Sequence, residues 1–96
     1  MPTYEVLDRF WQDYSRLTPE QRRAFRSAVA KFIADLKARR FRKGLRVKAV
    51  QGTDGIYEMT WAADGRATFQ FGASLHPGEP HIIWRRCGTH DIFEAP

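Results

Sequence analysis

Ninety-six residues leave room for one small domain and exclude a multidomain enzyme. An apolar share of 43% with 14% aromatics is enough to bury a core, which excludes a disordered chain, and no stretch approaches the ~20 apolar residues of a membrane span. The net charge of +5 is regional, because residues 1–48 carry thirteen Lys/Arg against five Asp/Glu and residues 49–96 carry three against six.

Residues 1–10 show no basic region followed by an apolar stretch, so the expected location is the cytoplasm. Residues 3–6 read as a short strand, although Tyr4 also fits the helical stripe that follows. Leu7, Phe10, Trp11, Tyr14 and Leu17 recur at helical spacing and predict a helix over 8–17. Thr18, Pro19 and Gln21 supply an N-cap, a proline at the first helical position and a capping-box partner. Phe25, Ala28, Val29, Phe32, Ile33 and Leu36 then form the apolar stripe of a second helix ending near Arg40, before Gly44. The two make a helical hairpin. At its end Lys37, Arg39, Arg40, Arg42, Lys43, Arg46 and Lys48 place seven cations in twelve positions with no acid among them. Such a field suits a polyanion, either nucleic acid or an acidic protein, although Lys and Arg also favour a helix C-terminus for its dipole.

After Gly44 the period changes to two, with strands over 46–51, 56–61, 66–71 and 81–87. Asp54-Gly55 and Asp64-Gly65 are tight-turn pairs in which glycine supplies positive φ, so the strands form an antiparallel meander. Tyr57, Met59 and Trp61 share a face with Ala67, Phe69 and Phe71, while Glu58, Thr60, Arg66, Thr68 and Gln70 share the other. The expected fold is α+β, a two-helix hairpin packed on a four- to five-stranded antiparallel sheet within a single 1–96 domain. The helices should cover the aromatic face and leave the polar face open for a site.

The last strand runs into Trp84-Arg85-Arg86-Cys87-Gly88-Thr89-His90-Asp91-Ile92-Phe93. A strand ending in Gly-Thr-His puts an imidazole at the sheet rim, with Arg66 on the polar face of another strand. RNA cleavage by the neighbouring 2′-hydroxyl needs a base, an acid for the leaving 5′-oxygen and cations for the phosphorane charge, which His and Arg supply without a metal. The competing reading pairs Arg66, Arg85 and Arg86 with Glu58, Asp64 and Asp91 as surface ion pairs of little consequence. Alternation leaves open whether Arg85 or Arg86 faces the site, and a bulge would change either assignment. Three scattered histidines show no metal-ligand spacing. His76 and His81 read as exposed loop residues, Trp11 and Trp61 as core, Trp84 as either, and Cys87 as a packing residue with no disulfide partner.

These residues resemble the RelE/ParE superfamily of toxin–antitoxin toxins over nearly the whole chain. The most specific part is Arg86-Cys87-Gly88-Thr89-His90-Asp91-Ile92-Phe93, which is similar to the Arg-x-Gly-Thr-His-Ser-Asp-Leu-Phe ending of the YafQ-type branch, with one residue fewer between His and Phe. The resemblance implies ribosome-dependent mRNA cleavage with Arg86 as phosphate stabiliser, His90 as general acid and Phe93 as a base-stacking ring. Arg66 falls where RelE-like toxins carry a third-strand arginine, and Lys48 near their basic strand-entry residue, with Arg46 and Arg85 as further substrate-binding cations. The upstream histidines of the YafQ type have no equivalent between Gly44 and Gly72, and Gly65 stands where a tyrosine is common. The base is therefore open, with Glu58 and Lys48 as candidates. The resemblance further implies a cognate antitoxin, the ribosome and mRNA as partners, with no cofactor. A ParE-like gyrase inhibitor and a member that only binds RNA or its antitoxin are the alternatives.

Overall fold

The computed structural model describes residues 2–96, which form β1 (Thr3–Val6), α1 (Asp8–Ser15), α2 (Pro19–Ala38), a 3-10 turn η1 (Lys43–Leu45), β2 (Lys48–Ala49), β3 (Ile56–Thr60), β4 (Arg66–Gly72), β5 (His81–Gly88) and a second 3-10 turn η2 (His90–Glu94). The strands make one sheet in the order β1-β5-β4-β3-β2. β2 to β5 pair antiparallel, as the meander predicts, but β1 lies parallel to β5, so the sheet is mixed. None of the described helices is long and apolar enough to cross a membrane.

The capping box forms as read. Thr18 Oγ1 accepts from the Gln21 amide at 3.1 Å, and the Thr18 amide donates to Gln21 Oε1 at 2.8 Å. At the other end of α2, Arg39 takes the left-handed conformation at φ 57°, and its amide and that of Arg40 bond back to the Leu36 and Asp35 carbonyls. The chain thus turns before Gly44 without using a glycine. α1 ends at Ser15 rather than 17, and the strand expected over 46–51 shrinks to Lys48–Ala49. Arg46 explains the loss: closing η1 puts it at φ 49°, outside the strand region.

One sheet face carries the core. Met59 opposes Ala67 and Tyr57 opposes Phe69, as alternation requires, and Phe25 and Phe32 of α2 close over them with Phe10 of α1. The Phe32 ring meets Phe69 at 4.9 Å and Trp84 at 5.3 Å between centroids, so aromatic packing dominates the contact between helices and sheet. Trp84 and Trp61 are both core, whereas Trp11, expected there, is 55% exposed, touching Phe10 and Tyr14 edge-on and lining an open groove.

Two glycines do different work from each other. Gly55 turns at φ 79°, as its Asp-Gly pair predicts. Gly65 does not adopt positive φ; a Cβ there would lie 2.5 Å from the Trp61 ring, so the residue is small because the indole packs flat against its backbone. The Trp61 ring N–H donates to the Arg66 carbonyl at 2.9 Å and fixes the β3–β4 turn. His81, read as exposed, is buried, because β1 brings Thr3 Oγ1 to 2.7 Å from its Nδ1 and Glu5 Oε1 to 3.0 Å from its Nε2.

Candidate nucleic-acid interface

A register shift in β5 sets the polar face. Trp84 opposes Phe69 and Arg86 opposes Thr68, so Arg85 is an extra residue bulged between them. Strict alternation would put Trp84 and Cys87 on opposite faces. With the bulge both are buried in the core, and both arginines reach the main chain of residues 95–96.

The two have unequal surroundings. Arg86 forms a bidentate pair with Asp13 of α1, Nε to Oδ2 at 2.7 Å and Nη2 to Oδ1 at 3.1 Å, and its Nη1 donates to the Ala95 carbonyl at 2.9 Å. Bonding to Asp13 raises the Arg86 pKa further above its ordinary value. β1 stops opposite Trp84, which would leave the next amides of β5 without a strand; Asp13 Oδ2 takes the Cys87 amide at 3.1 Å and fills that gap. Burial and the Asp13 charge push the Cys87 thiol up to about 12, which leaves it a protonated packing group. Arg85 has no side-chain carboxylate partner among the described residues: its Nε donates to the Pro96 main-chain oxygen at 3.1 Å and its Nη1 to Gln70 Oε1.

The register aligns Lys48, Glu58, Thr68 and Arg86 as one row across β2, β3, β4 and β5. Lys48 Nζ and Glu58 Oε1 are 3.9 Å apart. They line an open groove of about 430 Å³ with Phe93, which η2 brings across the sheet. The polar face is therefore not open as expected. Residues 89–96 lie over its middle, and Thr68 is fully buried, its hydroxyl donating to the Pro96 oxygen at 3.3 Å. Ile92 anchors this segment: it is buried, and a Cβ at Gly88 would stand 3.1 Å from its Cγ2.

His90 begins η2 and sits at the rim. Its Nδ1 is 3.1 Å from Asp64 Oδ1, with the side chains 60% and 73% exposed, and its ring meets Phe93 edge-on at 5.7 Å. Asp64 lies in the β3–β4 turn that Trp61 and Gly65 hold. A carboxylate on Nδ1 orients the imidazole, and Nε2 has no protein partner among the described residues. Arg66, the first residue of β4, curls back over the turn so that Nη1 donates to the Gly65 and Ala62 carbonyls at 2.9 and 3.2 Å. Lys48, Glu58, Phe93 and His90 thus come together, and Arg85 and Arg86 meet the same 95–96 main chain. Arg46 is exposed just after η1 and joins neither group.

The basic stretch is one cation poorer than its sequence implies. Arg42 forks onto Asp35, Nη2 to Oδ1 at 2.8 Å and Nε to Oδ2 at 2.9 Å, and the Arg42 amide adds a third bond at 2.9 Å. These bonds hold the Asp35 carboxyl at about 2. Sequence reasoning missed Asp13 and Asp64 as site residues. Asp13 follows Phe10 by three positions, so it is an acid on the core-facing stripe of α1; such a position calls for a cation. Asp64 was legible only as a turn residue.

A second surface lies between the helices and β1, where Tyr4, Trp11, Phe25, Val29, Ile33 and Leu36 help line an apolar groove of about 340 Å³ bordered by Arg26.

No model of a protein family and no curated protein matches the sequence. Solved structures do. A YoeB/ParE toxin from Agrobacterium tumefaciens superposes with a TM-score of 0.66 at 15% identity over 92% of this chain and 98% of its own. The RelB–RelE antitoxin–toxin complex from Methanococcus jannaschii gives 0.63 at 12% identity over 93% of each chain. The DinJ–YafQ toxin–antitoxin complex of E. coli gives 0.65 at 13% identity over 94% of this chain and 93% of that one. A mixed five-stranded sheet with an α-hairpin on one face, matched nearly end to end by these toxins, gives this chain the RelE/ParE toxin fold.

Proposed function

We propose that this chain is the toxin of a type II toxin–antitoxin pair and cuts mRNA on the ribosome. The observation that carries the reading is the Asp64–His90 pair beside Phe93, at the edge of a face bearing Lys48, Arg66 and Arg85. The RNA 2′-hydroxyl attacks the adjacent phosphorus, the bond to the 5′-oxygen breaks, and a 2′,3′-cyclic phosphate and a 5′-hydroxyl result. His90, protonated at Nε2, gives its proton to the leaving 5′-oxygen while Asp64 holds Nδ1. Glu58, set in the groove by Lys48, takes the 2′-hydroxyl proton. Arg66 and Arg85 face the phosphorane charge, Lys48 and Arg46 the flanking backbone, and Phe93 stacks on a base. Arg86 contributes one guanidinium edge, since Asp13 holds the other.

The apolar groove between the helices suits an antitoxin segment with apolar anchors, and its acidic residues would meet the basic rim. The compartment is the cytoplasm, where ribosomes and antitoxin are both available. One observation favours a binding-only member instead: the arginine at the phosphate-stabiliser position is already neutralised by Asp13.

Mapping new mRNA 5′ ends on programmed ribosomes, with naked mRNA alongside, tests the reading. New ends at the ribosomal A site that require ribosomes are the expected result. Their absence under both conditions, with RNA still bound, would establish the binding-only member; a DNA-damage response without mRNA cuts would establish the gyrase-directed one.

A further inference from the structure

The segment that carries His90 and Phe93 ends by occupying the cationic groups that a phosphodiester needs. The Ala95 oxygen lies 2.9 Å from Arg86 Nη1, and the Pro96 oxygen 3.1 Å from Arg85 Nε and 3.3 Å from Thr68 Oγ1. Each acceptor is a main-chain oxygen, so no side-chain chemistry of the segment specifies the contact. The donors do: two adjacent arginines and a buried hydroxyl converge on oxygens a few ångströms apart. They converge because the bulge at Arg85 puts both guanidinium groups on one side of β5.

The Ala95 carbonyl is neutral and a weak partner for the Arg86 guanidinium. Charge-assisted bonds to anionic oxygen are roughly twice as strong as those to neutral acceptors. Arg85 has no side-chain carboxylate partner among the described residues. Only Ala95 and Pro96 need to move to free the set, because Ile92 remains anchored against Gly88.

We propose that Thr68, Arg85 and the free edge of Arg86 form an oxyanion cradle for a phosphodiester of single-stranded RNA, and that residues 95–96 are an intramolecular latch over it. RNA binds by displacing the latch while η2 keeps His90 and Phe93 in place. The inference rests on RNA as the substrate of this face, but not on cleavage. A latch open one-tenth of the time weakens apparent affinity about tenfold.

The test is the affinity of a fluorescein-labelled 2′-O-methyl RNA oligonucleotide, which cannot be cut, for the full chain and for a chain ended after Glu94. The shortened chain should bind about tenfold tighter. Arg85→Gln, which removes a cradle donor and a latch contact together, should weaken binding by both chains, the shortened one more, and so shrink the gain. Should the shortened chain fold poorly, the Ala95 methyl resonance of the intact protein gives the same answer by shifting toward its random-coil position as the oligonucleotide is added. Equal affinity for the two lengths, RNA bound with Ala95 unmoved, or no RNA binding by either chain would overturn the latch. Tighter binding by the shortened chain with no cleavage by either would uphold the latch and refute the nuclease.

Discussion

The two faces of the central sheet come from the same alternating residues but are completed by different parts of the chain. The aromatic face is closed by helices whose apolar stripes match it, so Phe25 and Phe32 meet Phe69 and Trp84 with no polar partner required. The polar face is completed by groups distant in sequence: Asp13 from α1, Asp64 from a turn and the main chain of 95–96. A pattern of period two specifies the first face directly. It supplies the second only with donors and leaves their acceptors to the topology.

The comparison is sharpest at Arg85 and Arg86, adjacent residues on the same side of the sheet. Asp13→Ala removes a largely buried ion pair and the acceptor of a buried amide, and should cost about 3–5 kcal/mol in urea unfolding. Arg85→Gln should change stability far less, because its partners are an amide oxygen and the exchangeable 95–96 segment. Equal losses would erase the distinction. On the aromatic face, Gly65→Ala places a methyl against the Trp61 ring and should cost about 1–3 kcal/mol, with the β3–β4 turn and Asp64 shifting together. Away from both faces, Thr18→Ala should cost only about 1 kcal/mol through loss of the capping box.

Acid unfolding separates the basic stretch from the sheet. Asp35 has a carboxyl pKa of about 2 in the fold against 3.8 ordinarily, so the unfolded chain binds its proton first as pH falls. Its stabilisation is fully present above about pH 4 and is lost between about pH 4 and pH 2. Asp35→Asn should flatten the stability profile in that window, measured by urea midpoints at successive pH values, and leave the profile above it parallel to wild type.

Much of the fold was legible because its determinants are local. The capping box at Thr18, the stripe of α2, the turn at Gly55 and the facing of Met59 with Ala67 all follow from spacing. The parallel partner of β1 was not legible, since its pairing with β5 spans the whole chain. His81 and Trp11 were misplaced because neither depends on local spacing: β1 buries the first, and the second lines the open groove between the helices and β1. In the site, the Gly-Thr-His ending marked His90 and Phe93, and they do stand together. The bulge that turns both arginines one way has no signature in alternation, and neither does the crossing of residues 89–96 over Thr68. Gly65 shows how one residue serves different causes; its Asp-Gly context marks a turn, but the Trp61 ring is what requires its smallness.

The central claim is that the polar face is a nuclease built on His90, with Asp64 as its positioning residue. Its most direct test is the single-turnover cleavage rate of ribosome-bound mRNA by wild type, His90→Ala and Asp64→Asn at saturating protein. Loss of the general acid should slow cleavage by about 10²–10⁴-fold, and Asp64→Asn should slow it less while shifting the pH profile, with ribosome binding retained in both. Cleavage by His90→Ala at the wild-type rate would contradict the claim.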